Sequence, residues 1–146
     1  MNNGIVLIFA ASFCATGAGA QTAASSAAGV QAAIRDYYEL WQNRDVARYR
    51  TLLADDYILL EHGVPMTVED DVRMMPKPGS TRTNVFDFRA VRIVGDVAYA
   101  HWFLDSKMTD EKGARQRRWL ESGVLRRSGA GWKIALVHST RIEPGR

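Results

Sequence analysis

The chain has 146 residues, a formal net charge of +3 at pH 7 and one cysteine, Cys14. That length suits one domain able to bury a core. A lone cysteine excludes a disulfide framework or a cysteine metal cluster. The densest basic cluster, Arg115, Arg117 and Arg118, is too small for a nucleic-acid surface, and the remaining cations are dispersed among acids.

Residues 1–20 read as a secretory signal peptide. Ile5 to Phe13 is a short apolar run, and Ala18-Gly19-Ala20 before Gln21 is a small-residue cleavage site. Cleavage after Ala20 would remove Cys14 and deliver a periplasmic or secreted protein with no membrane attachment. Residues 21–29 are Ala/Ser-rich and read as a disordered or frayed helix start, with Ser25 or Ser26 as a cap. The folded domain is expected over 30–142.

Val30, Ile34, Tyr37 and Trp41, with Tyr38 adjacent, form an apolar stripe at helical spacing, broken at Asn43-Arg44. Asp45 caps a second short helix through Leu53. Tyr57 to His62 reads as a strand closed by a Gly63-Val64-Pro65 turn. Thr67 with Asp70 resembles a capping box for a third helix, Val68 to Met75, which Pro76-Lys77-Pro78-Gly79 stops. The rest reads as strands: Thr81 to Val94, a Gly95-Asp96 turn of type II′, Val97 to Met108, and a closing hairpin from Trp119 to Arg141 around Ser128-Gly129-Ala130-Gly131. Helices first and a strand meander after them make an α+β fold with an antiparallel sheet.

Side-chain alternation gives a register. Pairing Arg127 with Trp132 sets Leu125 opposite Ile134, Glu121 opposite His138 and Trp119 opposite Thr140. Pairing Thr109 with Ala114 brings Trp102 beside Glu121 and Leu104 beside Trp119 on the same inner face, with Asp105 facing Arg118 outside and His101 pointing outward. Across Gly95-Asp96 a plain turn puts Asp87 and Arg89 inside and Phe86 and Phe88 outside. Either a β-bulge flips that register, or the two phenylalanines belong to a dimer interface.

Several segments carry a family resemblance. They are the first helix ending in Trp41, the stretch Leu52-Leu53-Ala54-Asp55-Asp56-Tyr57, Gly63, the turn Val94-Gly95-Asp96-Val97-Ala98, and the closing run Gly131 to Ser139. The chain from Val30 to Arg141 resembles the nuclear-transport-factor-2-like superfamily and, within it, the SnoaL-like secreted bacterial group. The resemblance implies a cystatin-like cone, a strongly curved antiparallel sheet wrapped over three N-terminal helices with a cavity at the open end. It also implies a homodimer through the outer sheet face. Members include isomerases, hydrolases, cyclases and subunits that only assemble, so the resemblance leaves function open.

The candidate chemistry centres on Glu121 and His138. Such a pair serves as a general base with its orienting partner, or as a satisfied structural hydrogen bond. Tyr57 is the candidate donor to a ligand carbonyl. Tyr38, Trp41, Glu61, Trp102, Trp119 and Thr140 are candidate ligand contacts. His62, His101 and His138 lie on separate strands, which predicts no metal site, and no cofactor motif is present. Two functions follow. One is a pocket that binds, and isomerises or hydrates, an apolar carbonyl-bearing molecule without a cofactor. The other is a non-catalytic homodimeric assembly module with a filled cavity.

Overall fold

The computed structural model describes residues 26–143. The expected signal peptide and its cleavage site lie outside the described residues. Helix α1 (Ala27–Gln42) starts where Ser26 Oγ accepts the Gly29 amide, so Ala27 to Gly29 form its first turn. It buries Val30, Ala33, Ile34, Tyr37, Tyr38 and Leu40 on one face. Asp45 caps α2 (Val46–Thr51) by accepting the Arg48 amide. Thr67 and Asp70 form a complete capping box at α3 (Val68–Arg73), each side chain accepting the other's backbone N–H. Among the described residues no helix is long and apolar enough to cross a membrane.

Six strands follow the order β2-β1-β6-β5-β4-β3. They are β1 (Leu53–Glu61), β2 (Val64–Met66), β3 (Thr81–Val94), β4 (Val97–Asp110), β5 (Gly113–Ser128) and β6 (Gly131–Ile142). Neighbours are antiparallel except β1 and β6, which run parallel, so the sheet is mixed. Strand β1 begins at Leu53, earlier than the sequence suggests. Val64 and Pro65, expected in a turn, pair with Glu61 and Leu60 as the short edge strand β2. Gly95 has φ +58° while Asp96 does not enter the left-handed region, as a type II′ hairpin requires. The curved sheet closes over α1, with Trp102, Tyr49, Ile34, Leu104 and Leu125 wholly buried between them.

The β4–β5 register is the expected one throughout: Trp102 faces Glu121, Leu104 faces Trp119, and His101 faces Ser122 on the outer side. The β5–β6 hairpin begins as expected, with Arg127 opposite Trp132 and Leu125 opposite Ile134. It then slips by one residue, and Val124 faces Leu136. Ala135 is the extra residue of a β-bulge, and beyond it every side chain of β6 changes face. A second bulge at Arg89 puts Phe88 opposite Trp102 and Phe86 opposite Leu104. Both phenylalanines therefore pack inward against the core.

Candidate functional site

A cavity of about 380 Å³ opens between the helices and the concave face of the sheet. Helix α1 contributes Tyr37, Tyr38 and Trp41. Leu59 and Glu61 come from β1, with His62 just beyond it. Met66 lies on β2, Asp71 on α3 and Met74 just beyond it, and Arg82 on β3. Trp119 and Glu121 on β5 and Ser139 on β6 complete the wall. Exposed His62 and Met74 mark its rim. A larger cleft, about 540 Å³, lies beside the 76–80 loop. There Arg73, Lys77 and Arg115 are paired with Asp70, Glu111 and Asp110, and Arg82 lies on the wall that the two spaces share. The smaller cavity holds the unusual chemistry.

Glu121 is only 3% exposed. Its Oε2 accepts the Tyr38 hydroxyl at 2.5 Å and the Trp102 indole N–H at 2.7 Å, and its Oε1 accepts the Ser139 hydroxyl at 3.2 Å. Burial pushes its pKa from 4.5 up to about 7, against the opposing pull of these donors and of the Arg82 charge. The carboxyl can therefore gain or lose a proton near neutral pH.

A second buried carboxylate, Asp71, is organised differently. Its Oδ2 accepts the hydroxyls of Tyr37 at 3.0 Å, Tyr57 at 2.8 Å and Tyr49, and its Oδ1 accepts the Trp41 indole N–H at 2.9 Å. The Tyr37 and Tyr57 hydroxyls are 2.7 Å apart. Burial is the first cause that raises the pKa of all three tyrosines, so they remain neutral donors. Four donors on one carboxylate make this cluster a clamp that holds α3 to the core.

Arg82 supplies the cation. Its guanidinium lies over the rings of Trp119, Trp41 and Tyr38, 5.1, 5.6 and 5.7 Å from their centroids. Its Nε donates to Asn84 Oδ1 at 2.8 Å and Ser106 Oγ at 3.1 Å. Burial lowers its pKa, opposed by Tyr38 and Glu121, and a guanidinium stays charged under such a shift. Among the described residues no group of three or more His, Cys, Asp or Glu side chains is arranged to hold a metal ion.

A family model described as the SnoaL-like domain matches residues 30–142. The chain belongs to the SnoaL-like domain family. Its fold is that of the nuclear-transport-factor-2-like superfamily, and solved structures share it. The association domain of the calcium/calmodulin-dependent kinase CaMKII from C. elegans aligns with a TM-score of 0.63 at 19% identity, covering 76% of this chain and 92% of that one. A ketosteroid isomerase-like protein from Erwinia carotovora atroseptica aligns at 0.65 with 18% identity, covering 80% and 96%. An NTF2-like protein from Cytophaga hutchinsonii aligns at 0.66 with 20% identity, covering 77% and 95%. No curated protein matches the sequence.

Within this SnoaL-like domain, Glu121, Tyr38, Trp41, Glu61 and Trp119 line one cavity. Trp102 stands behind the wall and reaches it only through the hydrogen bond to Glu121. Tyr57 is buried with its hydroxyl turned to Asp71, not toward the cavity. The Glu121–His138 pair does not exist. The bulge at Ala135 places Ser139 opposite Glu121 and leaves His138 opposite Ser122 on the exposed outer face. Thr140 is corrected for the same reason: it is exposed opposite Leu120, while Arg141 faces Trp119.

Asp71, Arg82 and Ser139 went unrecognised from sequence. A signal existed for Asp71, because Val68, Asp71 and Val72 fall on one face of α3 at helical spacing. For Arg82 and Ser139 the faces depend on two bulges: the Phe86/Phe88 pattern offers the one at Arg89 as one of two options, and nothing local announces the one at Ala135.

Proposed function

We propose that this domain binds a small molecule with an apolar body and a carbonyl at its polar end. In this reading Glu121 transfers a proton to or from that molecule, in a cofactor-independent isomerisation or hydration. The observation that carries it is a buried carboxyl on the wall of an aromatic cavity, poised to titrate near neutrality. Ionised Glu121 would take a proton from carbon next to the carbonyl while charge moves onto the carbonyl oxygen. The same carboxyl would return the proton at another carbon. Deuterium incorporation into 2-tetralone in heavy water, followed by proton NMR, tests this. The protein should accelerate exchange, and Glu121→Gln should lose about a hundredfold of that acceleration. Equal rates in both proteins would contradict the reading.

A second reading is favoured by the outer sheet face. Tyr99 is 49% and Leu120 44% exposed there, with Val97 beside them. Solved structures of this fold include hub and association domains. We infer that the domain forms a homodimer through this face, which is compatible with a ligand-filled cavity on the other side of the sheet. With residues 1–20 read as a signal peptide, the protein would act in the periplasm or outside the cell. The exported protein would then begin at Gln21.

A further inference from the structure

Arg82 is the cavity's cation, and part of its hydrogen-bonding capacity meets no protein partner among the described residues. Glu61 Oε1 lies 3.0 Å from His62 Nε2. Asp71 is covered by three hydroxyls and an indole. Glu121 is covered by Tyr38, Trp102 and Ser139. Arg82, by contrast, has no carboxylate within 4.0 Å among the described residues, although Glu121 and Glu61 act on it at longer range. Only its Nε is engaged, by Asn84 and Ser106. Among the described residues no buried side-chain nitrogen lacks a hydrogen-bond partner. Nη1 and Nη2, which have no protein partner there, are therefore reachable from outside.

The mounting of this side chain also points to a ligand. Three rings and an Asn84–Ser106 bracket hold the guanidinium plane in place. Building such a bracket costs desolvation that no internal ion pair repays. A planar, immobilised fork matches the two oxygens of a carboxylate, which it can bind through two parallel charge-assisted hydrogen bonds. The surrounding tryptophan and tyrosine surfaces suit an apolar body.

We propose that Arg82 is an anion receptor built into the cavity, and that the bound molecule is an apolar acid whose carboxylate sits on the Nη1–Nη2 fork. This rests on the ligand-binding reading above and specifies its substrate class.

Calorimetric titration near neutral pH with phenylacetate, phenylacetamide and phenylacetone tests it, since the three share one apolar body. Phenylacetate should bind about tenfold more tightly than the two neutral probes, the gain expected of one charged bidentate contact. Arg82→Met keeps the packing stem and should erase that preference. Arg82→Lys keeps the charge without the fork and should retain part of it. Should Arg82→Met fail to fold, the preference in the native protein and its reduction in Arg82→Lys still decide the matter. Phenylacetate binding no tighter than phenylacetamide, or a preference that survives Arg82→Met, would overturn the assignment while leaving a neutral-ligand pocket standing. Binding of none of the three would overturn both the assignment and the ligand-binding reading on which it rests.

Discussion

Glu121 shows how burial and hydrogen bonding compete at one residue. Its three donors stabilise the ionised form, yet removal from water outweighs them and lifts the pKa to about 7. The consequence for stability has a definite sign. In the unfolded chain the group titrates near 4.5, in the fold near 7. Below 4.5 both states hold the proton and Glu121 has no linked effect. As pH rises through this window the unfolded state ionises first, so the fold loses stability, and the loss is complete above about 7. The full shift corresponds to about 3 kcal/mol. Urea unfolding of the native protein and Glu121→Gln across this range should show the native protein losing stability relative to the variant as pH rises. A relative gain would contradict the assignment.

At the scale of elements, α3 is only six residues long and depends on tertiary contacts for its existence. Asp71 supplies them, joining α3 to α1, α2 and β1 through Trp41 and Tyr37, Tyr49 and Tyr57. Replacing Asp71 by Asn turns two acceptor sites toward donors into a donor group. Urea unfolding should register a loss of about 3 kcal/mol, and amide exchange should quicken first in Val68–Arg73. A loss below about 1 kcal/mol would show that the clamp is incidental. The same scale explains what the sequence disclosed. Caps at Asp45 and Thr67, the type II′ turn at Gly95 and the whole β4–β5 register are local or strictly alternating features, and they were legible. The bulge at Ala135 was not, and the one at Arg89 was legible only as one of two options. Each inserts one residue whose benefit is tertiary: one turns Phe86, Phe88, Asn84 and Arg82 inward, and the other gives Glu121 Ser139 in place of His138. The Phe86/Phe88 pattern had already raised the first as one of two options. Nothing local distinguished His138 from Ser139, so the polar half of the site could be read only in part.

On the scale of the whole molecule, the sheet separates two faces with different work. The concave face carries the cavity, and the convex face presents Val97, Tyr99 and Leu120 to solvent. Sedimentation equilibrium should find a dimer, and Tyr99→Glu with Leu120→Lys should yield a monomer that keeps the cavity's ligand response. A native monomer would remove the assembly reading. The central claim, that the cavity holds a carboxyl able to exchange a proton with a ligand near neutral pH, is tested most directly through Trp102. Its indole N–H is bonded 2.7 Å from Glu121 Oε2 and reports the charge there. In a pH series of nitrogen–proton NMR spectra this resonance should titrate with a midpoint of about 7, and Glu121→Gln should abolish the transition. A resonance unchanged from pH 5 to 9, or one titrating near the ordinary carboxylate value of about 4.3, would contradict the account.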